Sequence, residues 1–353
     1  MGRKIAVVGT GAVGAYTGGH LVRTGQDVTF LDPWPAHVEY MKASGIELFG
    51  VTEAERFTVP VRALHLSELE SLSREAPFDI VFVCTKSYDT AWSTTMIAPF
   101  LAPDGFVVSL QNCINEETIA RVVGWGRTAG CIASVISVEL FAPGHVRRAV
   151  PLGGERHTVF RIGEPHGRPT ARVAEVAEML RAADSAKVTT NLWGERWSKL
   201  TANCMRNAVS AATGLASRES DLRDDSRRLA IRLAAESAAI GRALGFNLEI
   251  IYGFEPDLLV AAAEGSNEAL DTLESDLLER ARNAKGGGAG HRPSMGQDVV
   301  KGRRTEIDWL NGFVVRRGAE IGMDAPANAA ITEVVKRVER REVEPHPDLV
   351  SGI

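Results

Sequence analysis

No excess of positive charge runs through this chain: 40 lysines and arginines stand against 45 aspartates and glutamates, a formal net charge of −5. That balance argues against a nucleic-acid partner, whose phosphates require a basic stripe or patch. The compact basic run Lys301–Gly302–Arg303–Arg304 reads as a solvated helix face. Cysteine is scarce as well. Cys84, Cys113, Cys131 and Cys204 form no CxxC pair and no His–Cys cluster, which argues against a disulfide framework and against a metal site. Long apolar runs are missing, so no stretch reaches the roughly 20 residues of a membrane span. A signal-peptide layout is missing too, because Lys4 leads directly into a short apolar strand and a glycine turn. Internal repeats are not evident. These absences predict a cytoplasmic protein with reduced, mostly buried thiols.

What the chain does have is material for two cores. It contains 353 residues, 44% of them hydrophobic, which suits two domains better than one. In the first half, Ile5–Val8, Val28–Leu31, Ile80–Cys84 and Phe106–Leu110 are short runs rich in β-branched or aromatic residues. Such runs suit strands buried on both faces of a parallel sheet. Val13–Thr24 has helical length, and Gly25 supplies its stop. Gly45–Leu64 and Ile132–Ile162 are β-rich interruptions, assigned to the first domain without a defined pairing. From about Trp193 the character changes: Glu195–Ala212, Leu222–Leu244, Glu268–Ala284 and Thr305–Ile321 read as helices. In the last, Ile307, Leu310, Phe313, Val314 and Ile321 fall near one face. Gly286–Gly290 reads as a mobile loop, and the segment beyond Arg341 as a frayed end. The predicted boundaries are 1–190 and 191–353.

Gly9-Thr10-Gly11-Ala12-Val13-Gly14 follows the first strand and opens a helix. A lone GxGxxG is weak, but the strand before and the helix after it are the context the motif needs. Gly9 permits the tight turn, Gly11 lets backbone approach a pyrophosphate, and Gly14 allows helix-on-strand packing. The amides from Gly11 through Ala12, Val13 and Gly14 then face anionic phosphates. The fold class predicted is a Rossmann-type doubly wound α/β domain followed by a mainly α-helical domain. Asp32 closes the second strand, eighteen residues after Gly14. A carboxylate there either accepts the adenosine ribose hydroxyls or starts the turn before Pro33. Lys86 and Asn112 follow the next two strands, where ligands lie in such sheets. Each reads equally as a nicotinamide, ribose or substrate contact and as a solvated loop residue.

In Trp197-Ser198-Lys199-Leu200-Thr201-Ala202-Asn203-Cys204-Met205-Arg206-Asn207, Lys199, Asn203 and Asn207 recur every fourth position. A helix places all three on one face. Asparagine is a poor helix former, so two at this spacing point to a polar pocket; the alternative is a surface stripe. Thr305–Gly312 supplies carboxylates at a helix start, which the helix dipole alone would explain. Pro293–Asp298 offers the Ser294 hydroxyl in a turn. Pattern alone does not make either segment catalytic.

From the glycine motif to about Val338 the chain resembles the ketopantoate reductase (2-dehydropantoate 2-reductase) family. The resemblance is carried by Gly9–Gly14, Thr85-Lys86, Gln111-Asn112, Trp197–Asn207, Pro293–Asp298 and Arg303–Gly312. It implies an active site in a cleft between the two domains, with Lys199 as the general acid for the reduced carbonyl oxygen. It further implies that Asn112, Asn203, Asn207 and Ser294 hold the substrate, and that Glu306 sits beside the nicotinamide ribose and substrate. NADP(H) is the usual cofactor of the family. Here the stretch Leu31-Asp32-Pro33-Trp34 lacks the arginine that binds a 2′-phosphate, so Asp32 favours NAD(H). Glu264–Gly290 is longer than the matching region of compact members.

The expected reaction is NAD(P)H-dependent reduction of a 2-oxo acid, first 2-dehydropantoate to pantoate. An NAD-dependent D-2-hydroxy acid dehydrogenase of mandelate-like specificity is the second reading, and a dinucleotide sensor without turnover the third. Expected partners are the small oxo and hydroxy acids, with neither nucleic acid nor membrane. A homodimer through the helical domain is compatible with the sequence.

Overall fold

The structure is a computed structural model that describes residues 2–284 and 292–353. The chain divides into two compact units, one through Leu192 and one from Trp193 onward.

The first unit contains strands β1 (Lys4–Val8), β2 (Asp27–Asp32), β3 (Ile46–Phe49), β4 (Phe57–Val59), β5 (Arg62–His65), β6 (Phe78–Val83), β7 (Leu101–Ser109), β8 (Thr128–Ala133), β9 (Val138–Ala142), β10 (His145–Arg148), β11 (Phe160–Gly163) and β12 (Ala186–Thr189). Its α-helices are α1 (Ala12–Arg23), α2 (Pro35–Ser44), α3 (Thr90–Ile97), α4 (Glu116–Val123) and α5 (Ala171–Leu180). Eight strands form one sheet in the order β12-β11-β8-β7-β6-β1-β2-β5. From β8 to β5 all neighbours are parallel. Counted in chain order, those six strands run 3-2-1-4-5-6 from the β5 edge, the Rossmann order with its switch point between β1 and β6. Alternation along the strands feeds two cores. Ile5, Val7, Phe30, Ile80, Phe82 and Val108 enter one, while Ala6, Val8, Leu31, Val81, Val83 and Val107 enter the other.

The two β-rich interruptions find each other. They form a second sheet in the order β4-β3-β10-β9, in which β3 and β10 pair in parallel although the partners Glu47 and His145 lie 98 residues apart in the chain. Leu48 of this sheet lies against α1, where a Cβ on Gly19 would come within 3.0 Å of it. The helix α2 lies outside the sequence expectation, although Pro35 at its first position is a recognised start signal.

The second unit comprises α6 (Leu192–Thr213), α7 (Ser217–Leu222), α8 (Asp224–Ala243), α9 (Pro256–Ala263), α10 (Asn267–Asn283), α11 (Ser294–Val300), α12 (Asn311–Ala319) and α13 (Pro326–Glu339). Helix α6 is packed from several sides. The buried Trp197 indole donates to the Ser237 carbonyl of α8 at 2.8 Å, and Gly241 of α8 leaves room for that ring. Asn311 Nδ2 donates to the Cys204 carbonyl of α6 and to Asn328 Oδ1 of α13. Asn328 in turn donates to Glu236 of α8.

Four expectations are corrected. The helix expected over Leu222–Leu244 is α8 and starts two residues later: Leu222 ends α7, Arg223 is extended (φ −100°, ψ 123°), and Asp224 and Asp225 open the new helix. Thr305–Ile321 is broken at Leu310 (φ −105°, ψ −99°), since the Glu306 carbonyl already closes a tight turn on the amides of Trp309 and Leu310. Ile321 accordingly leaves the shared face and is exposed, whereas Ile307, Leu310 and Val314 are buried. The segment beyond Arg341 is docked: Val350 is buried, the His346 amide donates to Ala212, and Ser351 bonds Asp225. The basic run Lys301–Arg304 follows α11 rather than lying on a helix face. Gly286–Gly290 lies outside the described residues. Most of the described part of the Glu264–Gly290 region is α10. No helix among the described residues is long and apolar enough to cross a membrane.

Candidate active site

In the first unit the residues singled out by motif collect at one edge. Register aligns Val8 with Leu31 on one side and with Val83 on the other, and Val83 with Ser109. The next residues along these four parallel strands lead to Gly9, Asp32, Lys86 and Asn112, at the carboxyl ends where open α/β sheets bind ligands.

The glycines are held to different tasks. Gly9 has φ +88°, and a Cβ on it would lie 2.7 Å from the Thr85 nitrogen at the end of β6. A Cβ on Gly14 would sit 2.3 Å from the Gly9 carbonyl oxygen and 3.0 Å from Cys84. Gly11 caps α1, and a Cβ there would meet nothing within 4 Å, so protein packing does not demand this glycine. A cradle of that kind, at the positive end of a helix with no acid in its first turn, fits a pyrophosphate.

Asp32 is buried. Its Oδ2 accepts the Thr10 amide at 2.7 Å and the Thr10 hydroxyl at 2.8 Å, and its Oδ1 accepts the Trp34 amide at 2.9 Å. It is therefore a turn residue, and also a tie to the glycine turn that the sequence does not announce. About four lone-pair positions exist on a carboxylate, so acceptor capacity remains beyond these three bonds. The basic residues that follow Asp32 most closely in the chain, His37 and Lys42, are both committed elsewhere. His37 is fully buried, and Lys42 forms ion pairs with Glu39 and Glu68.

Lys86 and Asn112 are half-buried rather than solvated. Two residues without a role assigned from sequence, Gln111 and Asn115, brace their loops. Gln111 Nε2 donates to the Thr85 carbonyl at 2.8 Å and to the Thr90 hydroxyl at 2.9 Å. Asn115 Nδ2 donates to the Asn112 carbonyl at 2.8 Å. Burial raises the thiol pKa of Cys84, and all four cysteines are free.

In the second unit, α6 carries Lys199 and Asn203 half-buried and Asn207 buried, on one face as the spacing requires. The face is not a surface stripe. The Asn203 Nδ2 atom is buried and has no hydrogen-bond partner among the described residues, and a donor left so costs roughly 1–3 kcal/mol. Ser294 is the first residue of α11, not part of a turn, and that helix meets α6 where Gly296 packs against Ser210. Glu306 is buried in the segment before α12, the helix whose first residue, Asn311, bonds α6 at Cys204. Helix α11 and the start of α12 thus both pack against α6. Arg206 was passed over as well: it is buried, ion-paired with Asp221, and stacked on the Tyr252 ring at 4.1 Å.

Known proteins agree on both units. Residues 5–160 match the family model "Ketopantoate reductase PanE/ApbA", and residues 191–339 match its C-terminal counterpart. A 2-dehydropantoate 2-reductase of Mesorhizobium japonicum is 29% identical over 95% of this chain and 97% of its own length. The crystal structure of a PanE/ApbA family ketopantoate reductase from Ralstonia eutropha JMP134 superposes with a TM-score of 0.76 at 29% identity, covering 96% of this chain and 99% of that one. A D-mandelate dehydrogenase solved with NADH and anilino(oxo)acetate has the same fold, with a TM-score of 0.77 at 20% identity and coverage of 96% and 99%. With both units matched over most of their length, the chain belongs to the ketopantoate reductase family, whose members are NAD(P)-dependent oxidoreductases acting on CH–OH groups.

Proposed function

We propose that this protein reduces 2-dehydropantoate to pantoate and does so with NADH in preference to NADPH. The observation that carries the reaction is the α6 face, where Lys199, the orphaned Nδ2 of Asn203 and Asn207 line up in that order. A bound reduced nicotinamide supplies the hydride. The protein's own part is to receive the negative charge that grows on the carbonyl oxygen. Lys199 donates a proton from Nζ to that oxygen, and its cation stabilises the charge before transfer is complete. Asn203 and Asn207 position the substrate by hydrogen bonds without adding charge, and Ser294 and Asn112 contribute further polar contacts. Glu306 orients the substrate and the nicotinamide ribose. Gly9, Gly11, Ala12, Val13 and Gly14 hold the pyrophosphate through backbone, and Lys86 contacts the nicotinamide half.

The cofactor preference rests on Asp32. Its carboxylate is buried at the end of β2 with acceptor capacity to spare, and neither His37 nor Lys42 is available to neutralise a 2′-phosphate. Like charges at close range in a partly dry site repel strongly. The same residue favours a second reading, an NAD-dependent D-2-hydroxy acid dehydrogenase, since that specialisation also calls on NADH. Steady-state kinetics with a panel of 2-oxo acids, each with NADH and NADPH, separates the readings. The expected result is the highest kcat/KM for 2-dehydropantoate with NADH, and improved NADPH use in Asp32→Arg. A preference for an aryl oxo acid such as benzoylformate favours the second reading. A higher kcat/KM for NADPH in the parent enzyme overturns the cofactor assignment.

A further inference from the structure

His37 lies in the first turn of α2 with no exposed surface. Its two ring nitrogens face two distant pieces of backbone. Nδ1 accepts the Gly144 amide at 2.9 Å, and Nε2 lies 2.9 Å from the Thr10 carbonyl oxygen. An amide N–H only donates and a carbonyl only accepts, so the ring is the neutral tautomer with its proton on Nε2. Burial acts in the same sense, holding the imidazole below its ordinary pKa against the pull of Asp32. Thr10 passes the connection on, since its amide and hydroxyl both donate to Asp32 Oδ2. An unbroken chain of hydrogen bonds therefore runs from Gly144 through His37 and Thr10 to Asp32. Trp34 closes it, stacked on the His37 ring and donating its amide to Asp32 Oδ1.

The far end of the chain is built as firmly. Gly144 turns the chain between β9 and β10 with φ +72°, and its carbonyl accepts the Glu47 amide of β3 at 2.8 Å. A Cβ at this position would lie 2.1 Å from the Tyr40 ring. The second sheet thus presents one fixed N–H to His37.

We propose that His37 is a positioning residue of the dinucleotide turn, through which the second sheet sets the geometry of the phosphate and ribose sites. The inference rests on the reading that this turn binds a nicotinamide dinucleotide. By holding the Thr10 carbonyl, His37 fixes the plane of the Thr10–Gly11 peptide. The Gly11 N–H belongs to that plane and points the opposite way, toward the open cradle. By holding Thr10 it also limits the Asp32 carboxylate to one orientation.

The test is NADH binding, followed by fluorescence titration, in the parent, His37→Leu, His37→Gln and Gly144→Ala. His37→Leu is expected to weaken NADH binding about tenfold, with kcat at saturating NADH and the oxo-acid KM changed less than about threefold. His37→Gln keeps a donor for Thr10 and is expected to recover most of the affinity, while Gly144→Ala falls between. Nitrogen NMR of the parent at pH 7 supplies a readout that needs no variant to fold: Nε2 protonated, Nδ1 not. A parent that binds neither dinucleotide overturns the reading of the turn and the proposal with it. A parent that binds, with His37→Leu binding equally well or with the opposite tautomer in the spectrum, overturns the proposal alone.

Discussion

The glycine turn after β1 and the polar face of α6 offer recognition in opposite ways. The turn works through backbone, so what matters is the absence of side chains and the direction of peptide planes. Gly14 cannot carry a Cβ without striking the Gly9 carbonyl, and Thr10 is tied through both its amide and its hydroxyl. On α6 the backbone is an ordinary helix and the chemistry is hung on it as side chains at four-residue intervals. Geometry and stability are therefore inseparable in the turn. On the helix, a side chain can be removed with the scaffold left standing. The difference teaches where a substitution will register, in folding or in turnover.

The largest expected effect comes from the helix. Lys199 is half-buried and alanine is the best helix former. Lys199→Ala is expected to lower kcat by about two to four orders of magnitude, the range for general acid–base groups, with Tm and dinucleotide affinity close to the parent's. Near-normal turnover, measured at saturating substrate, removes Lys199 from the mechanism. A large fall in Tm instead would break the contrast between the two regions.

Gly14→Ala tests the other side. The methyl group must displace the Gly9 carbonyl or shift α1 from β1, and such overpacking costs roughly 1–3 kcal/mol. Denaturant unfolding should show that loss together with weaker NADH binding. A variant as stable as the parent that also binds NADH normally would show that the turn tolerates a side chain.

The smallest effect sharpens the contrast by pH. His20 lies on α1, the helix that the turn opens, and burial, helped by Arg23, lowers its pKa from 6.5 to about 4. The sign follows from proton uptake. Above pH 6.5 the ring is neutral whether folded or unfolded. As pH falls below 6.5 the unfolded chain takes a proton that the folded chain refuses until about pH 4. Stability is therefore lost across that interval. His20→Phe, which keeps a ring against Tyr16 and Phe57, is expected to flatten the Tm profile between pH 6.5 and 4. An unchanged slope would show that His20 is not the group responsible.

Sequence by itself determined the parts of this protein whose signals are local. Strand runs of β-branched residues, the glycine spacing after β1 and the four-residue spacing on α6 are each written within one segment. The parallel Rossmann sheet and the alignment of Lys199, Asn203 and Asn207 follow from them. Only tertiary structure decided the rest, because it depends on partners far apart in the chain. Pairing of β3 with β10 joins segments whose short, irregular strands carry no register signal of their own. The break at Leu310 interrupts a stretch whose apolar spacing reads as one helix, and it falls where Asn311 is drawn to Cys204 and Asn328. The C-terminal segment looks frayed by composition and is held by Ala212 and Asp225. Asp32 shows the division within one residue. Its place at the end of β2 was legible, but its bonds to Thr10, and the link through His37 to Gly144, exist only because a folded chain brings position 144 to position 37.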